Sequence, residues 1–270
     1  MNFLNPHIDI LKNKELYIFD MDGTIYLGNR VFDFAVRFIE NLKKANKRVL
    51  FFTNNPSRSD SEYIEKLCRL GFPAEEGDVM TSGDVTAEFL RRYRKGSRVY
   101  LLGVESLYND FCNKGIDLVE GDADIVVSSF DKTLTYDKLN HAARLIKNGA
   151  EFLCTHPDIN CPTEDGPVVD SGAIVAALTA FSGKTPKYFG KPYRETIDMI
   201  SEVTGVSLDK MCIFGDRLYT DIALGKRYGV SSILVLTGET TMDIVEAADE
   251  TDRPDFVFES LDEVDRAIFG

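Results

Sequence analysis

The sequence predicts an α/β protein built on a parallel sheet, with a second α/β module inserted into the first. Three observations carry this. Short apolar runs free of turn formers recur near 16–20, 48–53, 98–102, 124–128, 151–154, 211–214 and 231–236, and strands covered on both faces read this way. Amphipathic stretches of helical period separate the runs, as in repeating strand–helix units. Several runs stop abruptly in polar clusters, and open α/β sheets bind ligands beyond the carboxyl ends of their strands.

Residues 1–15 read as a terminal segment with a short helix. Leu16, Tyr17, Ile18 and Phe19 form the first strand, which stops at Asp20-Met21-Asp22-Gly23-Thr24. Gly23 lets the backbone turn sharply. Two carboxylates at this spacing suit phosphoryl transfer. One can attack phosphorus and form an aspartyl-phosphate, and the other can protonate the leaving oxygen and later deprotonate a water. Two anions facing a phosphate need a cation, and Mg²⁺ suits carboxylate and phosphate oxygens. An Asp-rich turn closing a strand is the plainer alternative.

Residues 21–32 alternate polar and apolar around Gly28-Asn29 and read as a hairpin flap. A helix over 34–47 presents Phe34, Phe38, Ile39 and Leu42 on one side, with Lys43, Lys44 and Lys47 at its C-terminal end. The strand at 48–53 ends in Thr53-Asn54-Asn55-Pro56-Ser57, and a helix over about 59–70 closes at Gly71. The Thr53 hydroxyl and the Asn54 amides suit phosphate oxygens, although Thr, Asn and Ser are also ordinary turn and N-cap residues.

From Ser82-Gly83 the pattern restarts. Helices over 84–95, 105–114, 135–147 and 170–181 alternate with strands at 98–102, 124–128 and 151–154. A loop over 155–162 and Asp165-Gly166-Pro167 precede the last of these helices. The inserted module spans 83–186. The first module then resumes. Gly190-Lys191-Pro192 leads into a helix over 193–204, and the strand at 211–214 ends in Gly215-Asp216. Asp221 falls in the first turn of a helix over 219–228. A strand at 231–236, an edge strand at 256–258 and a helix over 261–269 complete the chain.

At 270 residues and 44% hydrophobic content the chain can bury a sizeable core. A net charge of −13 excludes a broad nucleic-acid surface. It also repels anionic substrates at long range, so a phosphate ester needs a local cation, and Lys191 is the candidate. No apolar run reaches the roughly 20 residues of a bilayer span, and the N-terminus lacks a signal-peptide pattern, so the expectation is a cytoplasmic protein with no membrane partner. The cysteines, Cys68, Cys112, Cys154, Cys161 and Cys212, are odd in number and form no C-x-x-C pair, which fits free thiols in a reducing compartment.

The order Asp20-x-Asp22-Gly23-Thr24, Thr53-Asn54-Asn55, Gly190-Lys191-Pro192 and Gly215-Asp216-x-x-x-x-Asp221 resembles the haloacid dehalogenase (HAD) superfamily of phosphohydrolases. The module between the second and third motifs, with Thr155-x-Pro157-Asp158 and the Gly172 helix, looks like its NagD-like, p-nitrophenylphosphatase-like branch. The resemblance covers about 14–260. It implies a Rossmann-like parallel-sheet core, 1–82 and 187–270, with an α/β cap, 83–186, that closes over the site and reads the leaving group.

By the same resemblance, Asp20 is the nucleophile and an Mg²⁺ ligand. Asp22 is the general acid and base, and its main-chain carbonyl also binds the metal. Thr53 and Asn54 hold phosphate oxygens, Asn55 is a further substrate-binding residue, Lys191 neutralises charge between Asp20 and the phosphate, and Asp216 binds Mg²⁺. Asp221 either supports the metal site from behind or reaches the metal. Asp22 separates the chain from superfamily ATPases, which carry Thr there, and from dehalogenases, which lack the carboxylate. Pro56 departs from the more common Ser.

Ser82-Gly83 and Gly190 are hinge candidates. Asp158, Asn160 and Phe130-Asp131-Lys132-Thr133 are candidates for substrate reading, with ordinary loop structure as the alternative. His156 is expected to be structural rather than a substrate contact. A homodimer through the cap is implied by the relatives. The function implied is an Mg²⁺-dependent phosphatase of small phosphomonoesters, such as sugar phosphates, nucleoside monophosphates or pyridoxal phosphate. A phosphotransferase or mutase, and a catalytically silent phosphate-binding module, are the alternatives.

Overall fold

A computed structural model of the chain describes residues 5, 7–161 and 166–270. The chain divides into two compact units. One holds the residues up to Thr53, Ser61–Met80 and Ile200–Gly270; the other holds Asn54–Asp60 and Thr81–Met199.

The first unit is built on a six-stranded sheet. Its strands run Phe256–Phe258, Ser231–Val235, Met211–Gly215, Leu16–Phe19, Arg48–Thr53 and Val79–Thr81 across the sheet, and the first five pair parallel. Leu16–Phe19 is buried at every position, as its unbroken apolar run requires. The core beside it is aromatic. Phe19 stacks on Phe214 at 4.5 Å, and Phe38 meets Phe19 edge-on at 5.9 Å from the helix Ala35–Lys44. Such pairs contribute about 1 kcal/mol each beyond the area they bury. Phe34 leaves the predicted apolar stripe. The helix begins one residue later, at Ala35, and Phe34 lies exposed at its N-cap in the left-handed region.

Register is what positions the site. Phe19 pairs with Phe214 on one side and Phe51 on the other. The next residue of each strand therefore brings Asp20 level with Gly215 and Phe52, with Asp216 and Thr53 one step further on. The flap is present as the antiparallel pair Tyr26–Leu27 and Arg30–Val31.

The second unit has a five-stranded sheet, ordered Lys187–Tyr188, Glu151–Cys154, Ile125–Ser128, Arg98–Leu102 and Asp117–Leu118, with all pairs parallel. The sequence places 54–60, 81–82 and 187–199 with the first module, whereas they group with the second unit. The Phe189 ring packs on Phe89 at 4.8 Å, and the Phe189 N–H donates to the Cys154 carbonyl. The Ser106 hydroxyl donates to the Ser57 carbonyl at 3.0 Å.

Both hinge candidates lie in packed segments. Ser82 and Gly83 open the helix Ser82–Tyr93, whose first turn is closed by a capping box between Thr81 and Asp84. A Cβ on Gly83 would meet Leu107 Cδ1 at 2.6 Å and Pro56 Cβ at 3.0 Å. Pro56, the departure from the common motif, is thus a packing surface for that helix. Gly190 is buried against the Thr155–His156 segment.

Val79–Thr81, Asp117–Leu118, Lys187–Tyr188 and the antiparallel pair Asn160–Cys161 and Val168–Val169 went unpredicted because two or three residues carry no period. Of the loop expected over 155–162 and 165–167, Pro162 and Asp165 lie outside the described residues. No described helix is long and apolar enough to cross a membrane.

Candidate active site

Above the first unit's sheet, oxygens of Asp20, Asp216 and Asp221 all lie within 4.8 Å of one another. The register delivers Asp20 and Asp216. The Asp20 N–H extends the ladder by donating to the Phe214 carbonyl at 2.9 Å. Asp216 is 2% exposed, and its Oδ2 accepts the Glu239 N–H at 2.8 Å. Asp221, 1% exposed, arrives by a route the sequence did not show. The residues after Asp216 form a π-helical turn, Leu218–Ile222, before the α-helix Ala223–Tyr228. Turns of this kind are frequent at functional sites. Thr220 Oγ1 donates to Asp221 Oδ2 at 3.0 Å and fixes its plane.

The carboxylates sit in a cradle of glycines. Gly23, with φ +90°, and Gly238 both approach Asp216 so closely that a Cβ on either would overlap its carboxylate. A Cβ on Gly215 would likewise overlap Asp221. The Thr237 hydroxyl donates to the Gly23 carbonyl at 2.7 Å, tying the first motif's turn to the Thr237-Gly238 turn. Three carboxylates drawn together with two of them buried repel one another strongly unless a cation joins them. Their hard oxygen donors, on short rigid side chains, fit Mg²⁺.

Asp22 stands outside this cluster, exposed in the loop beside it. The surrounding protein still strips enough water from its carboxyl to push its pKa above the ordinary carboxylate range, against the pull of Lys66, the Gly28 N–H and Arg217. A carboxyl that holds its proton more tightly suits a general acid. The sequence reading missed two cations here. Arg217 lies beside Asp20 and Asp216 and pairs through Nε with Glu239 Oε2 at 3.0 Å. Burial works against its charge, but Tyr219, Asp216, Glu239 and Asp20 together raise its pKa. Lys66 acts on Asp22 and lies over the Tyr26 ring of the flap at 3.9 Å. Arg217 follows Gly215-Asp216 directly, and that adjacency was the available signal.

The second unit gathers its own predicted residues. Lys191, the candidate cation, is buried at 2% exposed. Its main chain is gripped by the side chain of Asn54, whose Oδ1 accepts the Lys191 N–H at 2.8 Å and whose Nδ2 donates to the Lys191 carbonyl at 3.0 Å. Asp158 Oδ2 takes a further Nδ2 proton at 3.3 Å. Burial pushes the Asp158 carboxyl up, while His156, the Asn54 bond and Lys191 oppose the shift. The Asn54 side chain and Asp158 are therefore bound to each other. Asn55 Oδ1 accepts the Ser57 N–H at 2.9 Å, as in an Asx turn, and Asn160 lies exposed on its short strand.

His156 is structural, as expected. It is fully buried, with Nε2 2.9 Å from Asp170 Oδ1 and Nδ1 2.8 Å from Thr155 Oγ1. In the loop at 130–133, Asp131 accepts from the Thr133 N–H and hydroxyl and from Lys138, and Phe130 is buried.

Residues 17–117 match the family model of haloacid dehalogenase-like hydrolases, and 188–264 match a HAD-hydrolase-like model. The chain belongs to the haloacid dehalogenase-like hydrolases. It is 34% identical to an acid sugar phosphatase of Staphylococcus saprophyticus over 94% of this chain and 98% of the relative. It is 32% identical to the 5'-nucleotidase YutF of Bacillus subtilis over 94% and 98%.

Among solved structures, a 4-nitrophenylphosphatase from Thermotoga maritima matches with a TM-score of 0.90 at 46% identity, covering 96% of this chain and 99% of that one. A glycerol phosphate phosphatase of Mycobacterium tuberculosis in complex with magnesium matches with 0.86 at 32%, covering 94% and 77%. The HAD protein is thus of the NagD and p-nitrophenylphosphatase branch, an α/β core with a cap, and a phosphoric monoester hydrolase.

Proposed function

We propose that this HAD protein hydrolyses small phosphomonoesters through an aspartyl-phosphate on Asp20, with Mg²⁺ held by the Asp20, Asp216 and Asp221 side chains and the Asp22 carbonyl. The observation that carries the reading is the meeting of the three carboxylates above the strand ends. An Asp20 oxygen forms a bond to phosphorus as the ester P–O bond breaks, and Asp22 gives its proton to the leaving oxygen. Asp22, now anionic, then takes a proton from water. The water oxygen bonds to phosphorus as the Asp20–phosphorus bond breaks, which releases phosphate and restores both carboxyls. The raised pKa of Asp22 supports its carrying the first proton.

The Thr53 hydroxyl and the Asn54 main-chain N–H are assigned to phosphate oxygens, and the Lys191 ammonium to phosphoryl charge in the transition state. Bound Mg²⁺ would supply further neutralisation of that charge. The substrate class is sugar phosphates, nucleoside monophosphates or pyridoxal phosphate, and Asp158 and Asn160 are assigned to its leaving-group side. The relatives named as sugar phosphatases support trying sugar phosphates first.

The test is phosphate release from such a panel with Mg²⁺, with EDTA and with Asp20→Asn. The expected result is turnover that EDTA abolishes and Asp20→Asn lowers by about 10³-fold or more. Turnover surviving in Asp20→Asn refutes the nucleophile.

A further inference from the structure

The carboxamide of Asn54 is spent on two residues, Lys191 and Asp158. It bonds both to the N–H and to the carbonyl of Lys191, at 2.8 Å and 3.0 Å, and its other amide proton faces Asp158 Oδ2 at 3.3 Å. The orientation is set by chemistry. Exchanging the amide O and N would turn an NH₂ on the Lys191 N–H and an oxygen on both a carbonyl and a carboxylate. Bonds to both main-chain groups of one residue hold the peptides on either side of it, and with them the direction of its side chain.

Asn54 is itself held. Its carbonyl accepts the Ser82 hydroxyl at 2.5 Å, and Ser82 stands in the capped first turn of the helix Ser82–Tyr93. Asn54 is 8% exposed, so water competes little for these bonds. Lysine is a point charge on a flexible four-carbon stem, and its usefulness at a reacting centre depends on where the stem starts.

We propose that Asn54 is a positioning residue: its carboxamide sets the Lys191 main chain, and through it the ammonium, while only its main-chain N–H remains for substrate. The proposal rests on the phosphatase reading, in which Lys191 meets phosphoryl charge.

The test compares wild type, Asn54→Ala and Asn54→Asp in p-nitrophenyl phosphate hydrolysis from about pH 8 to about pH 5. Asn54→Ala is expected to lower kcat about 10- to 100-fold with KM within about threefold, because a displaced Lys191 costs transition-state rather than ground-state binding. Asn54→Asp keeps an acceptor for the Lys191 N–H but sets a carboxylate against Asp158, with His156, Asp170 and Lys191 the other charged groups around that pair. A proton shared by the two carboxyls at low pH restores a donor. Its kcat relative to wild type should therefore rise about tenfold on acidification, while the Asn54→Ala ratio stays flat.

A ratio that is flat for both variants means a merely structural role and overturns the proposal. So does an Asn54→Ala defect carried in KM alone, which would make the side chain a substrate ligand. Hydrogen exchange at the Lys191 N–H gives a readout independent of turnover. It should be slow in wild type and at least about tenfold faster in Asn54→Ala, and fast exchange in wild type, or none gained in the variant, overturns the proposal. A wild type that hydrolyses no ester overturns the phosphatase reading instead, and the exchange data then decide the positioning of Lys191.

Discussion

Removing one carboxylate should stabilise this protein without metal and cost it its stabilisation by metal. Oxygens of Asp20, Asp216 and Asp221 lie within 4.8 Å of one another. At that separation and an effective dielectric constant near 20, each pair of charges repels by about 3.5 kcal/mol. Asp216→Asn removes two such repulsions, and the amide oxygen can still accept the Glu239 N–H that Asp216 Oδ2 takes at 2.8 Å. Lost attraction to Arg217 and solvent screening return much of the gain, so the net stabilisation expected in EDTA is about 1–3 kcal/mol. At a melting-temperature shift of about 2–4 °C per kcal/mol, the variant should unfold a few degrees above wild type.

Magnesium reverses the order. At a hundred times its dissociation constant a ligand stabilises the native state by about 2.7 kcal/mol, so wild type should gain about 5–10 °C and Asp216→Asn little or nothing. The assay is thermal unfolding by circular dichroism in EDTA and across a Mg²⁺ titration. It needs no substrate, so it tests the site apart from the reaction. A variant less stable than wild type in EDTA, or one that keeps the Mg²⁺ shift, would refute the view that the cluster is a strained apo metal site.

Three further outcomes follow from the same structure. Gly238→Ala places a methyl where the Asp216 carboxylate lies, so Mg²⁺ titrations of turnover should show affinity weakened by about tenfold or more. Phe214→Ala removes the ring that Phe19 stacks on, and denaturant unfolding should show a loss of about 3–5 kcal/mol. Burial pushes the Asp255 carboxyl up, but the Lys226 ammonium and the Ser232 N–H and hydroxyl outweigh it and hold the group below its usual range. The side chain is 36% exposed and the pair is partly screened, so Asp255→Ala should cost only about 1 kcal/mol at neutral pH. A depressed folded pKa contributes stability above the unfolded value of about 3.9. The cost should therefore fade as pH drops below about 4 and vanish once the folded carboxyl is protonated, which paired urea melts at neutral and acid pH would show.

The polar residues at the strand ends were legible in the sequence because they interrupt apolar strands. Asp20, Thr53 and Asp216 each follow a run of buried residues, where a polar cluster has few other reasons to stand. Their assembly was not legible, since it depends on Phe19 pairing with both Phe214 and Phe51, and register is a matter of three-dimensional packing. Arg217 and Lys66 passed unnoticed because charged residues at turns and on helices are common. Gly238 passed unnoticed because a glycine after a strand reads as a turn, whereas this one makes room for a carboxylate from another strand. Asn54 looked like a phosphate ligand. Its partner lies 137 residues away, and no spacing rule reaches that far.

The motifs that mark the cap branch are parts of one packed object. The loop carrying Thr155, His156, Pro157 and Asp158 runs between two glycines that admit no side chain. On one side a Cβ at Gly190 would stand 2.8 Å from the Thr155 carbonyl oxygen and from His156 Cβ. On the other a Cβ at Gly172 would overlap the Pro157 carbonyl and stand 3.0 Å from that of Asp158. The Gly172 N–H donates to the Asp158 carbonyl at 2.8 Å, and Asp170 caps the same helix while it holds His156. A side chain at either glycine would force the loop outward, taking Asp158 away from the Asn54 amide that also grips Lys191. The T-x-P-D loop, the Gly172 helix and the Gly190-Lys191-Pro192 turn therefore share one physical requirement, the close approach of three backbone segments. The glycines at 172 and 190 are the trace that requirement leaves in sequence.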